Sequence, residues 1–229
     1  MARRADLPSG PGREAAFGKG EPGPPSLTLP RCGWPGLADP LYRRYHDEEW
    51  GTPVHEETRL FEFLVLEGAQ AGLRWQTILH RRPGYRRAFD GFDPAQVADY
   101  GAERVERLMQ DPGIVRNRRK VLSAVQNARC VQRLQEGGTS LERFLWDRFE
   151  GRPKVNHWKD GREVPSQTAE SDRLSADLRR AGFSFVGSTI CYAFMQATGM
   201  VNDHLVGCFR HPEFRSPPRS PGARPRAVF

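Results

Sequence analysis

Leu108-Met-Gln-Asp-Pro-Gly-Ile-Val-Arg-Asn-Arg-Arg-Lys-Val121 is the stretch on which the fold turns. It closes one helical pattern, breaks at Pro112-Gly113 and opens a second. Before it, Val105, Leu108 and Met109 form a short apolar face. After it, Val121, Ala124, Val125, Ala128, Val131 and Leu134 recur at spacings of three and four, until Gly137-Gly138 stops them. The reading is helix, tight turn, helix. The turn amides of Gly113, Ile114 and Val115 could face a phosphate, with Arg116, Arg118, Arg119 and Lys120 beside them. Arginine at a helix N-terminus opposes the macrodipole, which hints at an anion there. An ordinary helix pair with a solvated basic face fits the same residues.

Helical spacing continues outward. Leu60, Phe61, Leu64, Val65 and Gly68 follow acidic Glu56 and Glu57, which suit a helix start. Ser171 reads as an N-cap for a helix through Leu174 and Leu178 that stops at Gly182. Ile190, Ala193, Phe194 and Ala197 make another face, ending near Gly199. Strand-like alternation is confined to pieces such as Phe183-Ser-Phe-Val186. The expected class is mainly α, an orthogonal bundle of about six to eight helices without internal repeats.

The 229 residues carry a formal charge of +7. Residues 1–30 hold +1 of it and residues 209–229 hold +4, which leaves +2 between them. The same two ends hold 11 of the 19 prolines. Residues 1–30 and 213–229 are therefore expected to be flexible tails around one domain, residues 31–212. The basic balance points to nucleic acid, but weakly, because so little of it belongs to the domain. No apolar run approaches the length of a membrane span, and Met1 to Pro30 lacks the apolar stretch of a signal peptide. Four cysteines are too few for a disulfide scaffold, so the expected setting is the reducing cytoplasm.

Two clusters carry chemistry. Cys32 and His46 near the start of the domain, with His204 and Cys208 at its end, offer two thiolates and two imidazoles. That set neutralises Zn²⁺ and leaves no open coordination position, so the site would be structural. Buried thiols and unrelated histidines are the other reading, and no compact zinc-finger spacing is present. Cys130 and Cys191 sit on helix faces as packing residues. The second cluster is Glu67, flanked by glycines, with Trp34, Tyr42, Tyr45 and Trp50 upstream and Trp75 downstream. A planar cation could stack on Tyr45 or Trp75 while Glu67 accepts hydrogen bonds from its edge. These aromatics could equally be core and Glu67 a solvated helix residue.

Together these features resemble one family. Arg31-Cys-Gly-Trp34, Asp39-Pro-Leu-Tyr-Arg-Arg-Tyr-His-Asp-Glu-Glu-Trp-Gly51 and Leu66-Glu-Gly-Ala-Gln-Ala-Gly-Leu-Arg-Trp75 are similar to motifs of the bacterial DNA-3-methyladenine glycosylase I family. So are Gly187-Ser-Thr-Ile-Cys-Tyr-Ala-Phe-Met-Gln196 and Val201-Asn-Asp-His-Leu-Val-Gly-Cys208. The resemblance covers nearly all of residues 31–212 and spares the tails. It implies a helix–hairpin–helix glycosylase fold and one structural zinc on Cys32, His46, His204 and Cys208. It places base recognition on Glu67, stacking on Tyr45 and Trp75 with Trp34 and Tyr42 nearby, and DNA intercalation on Gly72-Leu73. The hairpin falls on residues 108–121, although Pro112-Gly-Ile-Val-Arg-Asn-Arg lacks the Gly-x-Gly of the wider superfamily. Many superfamily relatives use an Asp after the hairpin, whereas none stands between Asp111 and Asp147. The implied activity is hydrolytic release of 3-methyladenine from double-stranded DNA by a monomeric enzyme without lyase activity. A zinc-stabilised lesion-binding protein that does not cleave, or a glycosylase with shifted methylated-base preference, shares the same residues.

Overall fold

The chain enters its first helix, α1 (Pro40–Arg44), behind Asp39, whose carboxylate accepts the Leu41 amide at 2.9 Å. A wide π-type turn, Tyr45–Glu49, follows directly. The computed structural model describes residues 29–214. Apart from their innermost two residues, the segments expected as tails lie outside the described residues. Next come α2 (Glu57–Gln70), α3 (Trp75–Ala88), α4 (Pro94–Ala98) and α5 (Ala102–Gln110). Then α6 (Arg118–Glu136), α7 (Leu141–Trp146), α8 (Ala169–Arg180) and α9 (Ser188–Ala197) complete the helices. A two-residue parallel ladder pairs β1 (Lys154–Val155) with β2 (Val201–Asn202). It fixes the backbone just before His204.

The helix α2 is the hub. All residues from Leu60 to Ala69 are buried, and the helix packs on α3, α6, α7 and α9. It therefore delivers Glu67 into the interior. Glu62, on the same helix, is also buried, and here partners satisfy it. Arg82 and Arg86 each bond both of its oxygens, at 2.6–3.1 Å. Arg82 also reaches Glu49 at 2.7 Å, which ties the π-type turn to α2 and α3. A buried carboxylate is tolerated when it is fully paired.

The mainly α class stands, with three differences in detail. The described residues hold nine α-helices, because α1 and α4 are short pieces of five residues that periodicity cannot register. Thr168 is the N-cap of α8, and Ser171 is its N3 residue: each side chain accepts the other's amide, a reciprocal capping box. Phe183-Ser-Phe-Val186 is not a strand. Asn127 bonds both the amide and the carbonyl of Ser184, at 2.8 and 3.0 Å, so a side chain takes the place of a neighbouring strand. Phe185 also has a φ of +54°, outside the strand region. Among the described residues, no helix is long and apolar enough to cross a membrane.

Candidate active site and metal centre

The four candidate ligands meet. Cys32, His46, His204 and Cys208 are all buried, and their donor atoms lie within 4.8 Å of one another. Cys208 Sγ is 3.6 Å from His46 Nε2 and 3.5 Å from His204 Nδ1, and Cys32 Sγ is 3.6 Å from His204 Nδ1. A tetrahedral ion with metal–sulfur bonds of about 2.3 Å and metal–nitrogen bonds of about 2.0–2.1 Å sets its S and N donors about 3.5 Å apart. The donor set therefore fits a metal by geometry as well as by type. The remaining ring nitrogens are also held. His46 Nδ1 pairs with Asp47 at 2.8 Å, and His204 Nε2 with the Trp50 carbonyl at 2.9 Å. Such outer partners fix which nitrogen faces a metal. Arg31 clasps Asp47 from behind at 2.7 Å. The interaction between the two buried sulfurs pushes Cys208 down and Cys32 up, and the two imidazoles lower Cys208 further.

Beside this centre lies a cavity of about 780 Å³, lined by Trp34, Tyr42, Tyr45, Trp50, Glu67 and Trp75 among others. The aromatic rings form a row. Trp34 and Tyr42 stack with centroids 5.2 Å apart, Tyr42 and Tyr45 lie near-parallel at 6.5 Å, and Tyr45 meets Trp75 at 5.4 Å. Trp34 and Trp50 also pack edge-on against the ligand imidazoles, so the metal centre supports one wall of the cavity. Glu67 is only 3% exposed, and no donor among the described residues bonds its carboxylate. Burial alone pushes its carboxyl up to about 8. Burial also raises the Tyr45 phenol, with the Glu67 charge adding to it. An unsatisfied acid under aromatic faces invites a cationic planar ligand with donors on its edge.

The expected intercalating pair lies just beyond. Gln70 to Leu73 form a tight turn in which the Leu73 amide donates to the Gln70 carbonyl at 2.6 Å. Gly72 has a φ of +77°, and a Cβ built on it would meet nothing within 4 Å, so conformation and not space calls for glycine. Leu73 is one of few large apolar side chains left exposed.

The hairpin departs from the sequence expectation. The amides of Gly113 and Ile114 donate to Asp111, at 2.7 and 3.5 Å, and that of Val115 donates to the Tyr85 hydroxyl at 3.1 Å. These three amides are thus engaged inside the protein rather than left for a phosphate. Close packing is the reason: a Cβ on Gly84 of α3 would stand 2.4 Å from the Gly113 carbonyl oxygen. Arg118 forms a two-bond pair with Glu106. Lys120 turns inward and donates to the carbonyls of Ala69 and Ala71, at 2.8 and 2.6 Å. Arg116 and Arg119 remain exposed, with no partner among the described residues. The amides of Arg118 and Arg119, in the first turn of α6, lack intrahelical acceptors as helix geometry requires.

Asp203 escaped the sequence reading. It is 1% exposed and lines the same cavity. Its carboxylate gathers Tyr192, Gln196, Asn156 and Trp158, at 2.6–2.7 Å. The signal was its place beside His204 in Val201-Asn-Asp-His-Leu-Val-Gly-Cys208. Asp47 likewise stood next to a candidate ligand without comment.

Comparison with known proteins matches residues 34–211 to the methyladenine glycosylase family model. The chain is 47% identical over 184 residues to DNA-3-methyladenine glycosylase 1 of Escherichia coli strain K12, covering 80% of this chain and 98% of that protein. A crystal structure of 3-methyladenine DNA glycosylase I superposes with a TM-score of 0.78 at 46% identity, over 80% of this chain and all of that one. The Staphylococcus aureus 3-methyladenine DNA glycosylase I, solved to explain its recognition of 3-methyladenine, gives 0.74 at 35% identity, over 76% and 93% of the two chains. On this coverage and identity, the chain belongs to the methyladenine glycosylase family.

Proposed function

We propose that this protein is a DNA-3-methyladenine glycosylase, which flips the damaged nucleotide out of double-stranded DNA, hydrolyses its N-glycosyl bond and leaves an abasic site. The observation that carries the reading is the unpartnered, buried carboxylate of Glu67 beneath the aromatic row. Methylation at N3 makes adenine cationic, so the base is already a good leaving group. The enzyme need only hold the flipped nucleotide while water adds at the sugar carbon and the base departs neutral. Glu67 accepts from the amino edge of the base and stabilises its positive charge. Tyr45 and Trp75 stack on its faces, with Trp34 and Tyr42 backing them, and Leu73 on Gly72 fills the vacated stack. Lyase activity is not expected.

The phosphate backbone is held by Arg116 and Arg119 and by the free amides opening α6 in the helix–hairpin–helix unit, more than by Gly113, Ile114 or Val115. Cys32, His46, His204 and Cys208 would hold one structural Zn²⁺. The set of two sulfurs and two nitrogens leaves that ion no open position, so it supplies no chemistry to the reaction. The glycosylase domain spans residues 31–212, with residues 1–30 and 213–229 as tails, and the protein works as a cytoplasmic monomer.

The test is release of free 3-methyladenine from methylated duplex DNA by the purified protein. Affinity for the lesion without release would instead make it a lesion-binding protein. Preferential release of 3-methylguanine or 7-methylguanine in competition would shift the substrate. A folded Glu67→Gln variant should lose at least about tenfold in release, or ~1.4 kcal/mol of transition-state stabilisation. A smaller loss would remove Glu67 from its role.

A further inference from the structure

The turn that carries Leu73 has its conformation set from outside. Ala71 adopts φ −44° and ψ 116°, and Gly72 follows at φ +77°. With the hydrogen bond from Leu73 to Gln70, this is a type II turn. Types I and II differ in which way the central peptide faces, and here that peptide is Ala71–Gly72. Its carbonyl, Ala71 O, is the one held by Lys120 Nζ at 2.6 Å. The same ammonium reaches Ala69 O at 2.8 Å, satisfying a carbonyl of the last turn of α2. A cation there also suits the helix macrodipole. Lys120 is the third residue of α6, just past the hairpin loop, and lies 49 residues from Ala71 in sequence.

We infer that Lys120 is a positioning residue, which holds the Ala71–Gly72 peptide in its type II orientation and thereby presents Leu73 to the DNA stack. The inference rests on the proposed glycosylase reading for the role of Leu73. It takes Lys120 out of the phosphate-binding set. It also couples two DNA-facing features, since the helix whose start anchors the backbone also fixes the wedge.

Lys120→Met, which keeps the aliphatic stem, is the test. Hydrogen exchange at the Leu73 amide should quicken at least about tenfold as the turn loosens, while the helices keep their protection. Single-turnover base release at saturating DNA should fall at least about tenfold, and adding Lys120→Met to Leu73→Ala should cost almost nothing more, because both act on one device. The salt dependence of binding to undamaged duplex should match the native protein. A log–log salt slope shallower by about 0.9 with unchanged Leu73 exchange would make Lys120 a phosphate ligand and overturn the inference. Additive losses in the double variant would also overturn it. If the native protein releases no base, the functional reading fails and Leu73 exchange alone decides on Lys120, with unchanged exchange overturning it. Should Lys120→Met not fold, Lys120→Gln, which also removes the charge, carries the same comparison.

Discussion

Cys208 Sγ stands 3.6 Å from His46 Nε2 across 162 residues of chain. Cys32 and His204 meet across 172. A metal bound there closes almost the whole described chain into a loop. Cross-links over such lengths restrict the unfolded chain by about 3–5 kcal/mol. Each kcal/mol moves the melting temperature of a domain this size by about 2–4 °C. Chelation, or Cys32→Ser with Cys208→Ser, should therefore lower melting by roughly 10 °C, and metal analysis should find about one equivalent of zinc in the native protein. Unchanged melting in a folded double variant would reject the clamp.

Glu67 predicts a trade between stability and function. Its carboxyl titrates near 8 in the folded protein because of burial, against 4.5 when free. Between those values the folded state keeps a proton that the unfolded chain has released. Stability must then fall as pH rises through that window. Glu67→Gln removes the dependence, so it should gain stability over the native protein, on the order of a few kcal/mol, from pH 5 to pH 8. Melting curves at the two pH values decide this. In the same variant the acid limb of the native kcat/KM profile, with its apparent pKa near 8, should vanish. A variant with no pH-dependent gain would mean that Glu67 ionises freely in the pocket.

Much of this was legible in the residues themselves. The apolar spacing of Val121 to Leu134 fixes α6, and the residue types at Cys32, His46, His204 and Cys208 offer a four-ligand set as one of two readings, which only the family resemblance favours. Orientation was hidden. Nothing in Arg-Asn-Arg-Arg-Lys120 says that its last cation points inward at carbonyls some fifty residues earlier, because that depends on how α6 crosses the end of α2. Tyr85 captures the Val115 amide for a similar reason: that acceptor comes from packing with α3, which periodicity does not encode, whereas Asp111 takes the Gly113 and Ile114 amides from within the loop. The false strand at residues 183–186 shows the same limit, since Asn127 supplies by side chain what alternation suggests a strand would supply.

Leu73 is 39% exposed at the tip of its turn and packs little in the free protein. Leu73→Ala should leave melting within about 0.5 kcal/mol of native, as surface changes usually do. Its effect should appear with DNA. Filling the gap left by a flipped base offsets unstacking that costs a few kcal/mol, so base release should drop ten- to a hundredfold. Binding to undamaged duplex, which rests on phosphate contacts, should change little. Equal losses on damaged and undamaged DNA would deny Leu73 a wedge role.

Glu62 gives the opposite pH signature to Glu67. Burial pushes its carboxyl up, but hydrogen bonds and charge from Arg82 and Arg86 outweigh burial and hold it below 4.5. Its folded value is depressed, so its contribution is present above about 4.5 and is lost as pH falls through the folded value. Glu62→Gln leaves the buried Arg82 guanidinium with Glu49 as its remaining carboxylate partner. Breaking a buried pair from one side costs about 3–5 kcal/mol. At pH 7 the variant should melt roughly 10 °C below native, by the same scaling of melting temperature with stability. The gap should narrow as pH falls through the folded value of Glu62, because the native side chain is then neutral as well. A gap that stayed constant down to the onset of acid unfolding would mean that packing, and not charge, makes Glu62 matter.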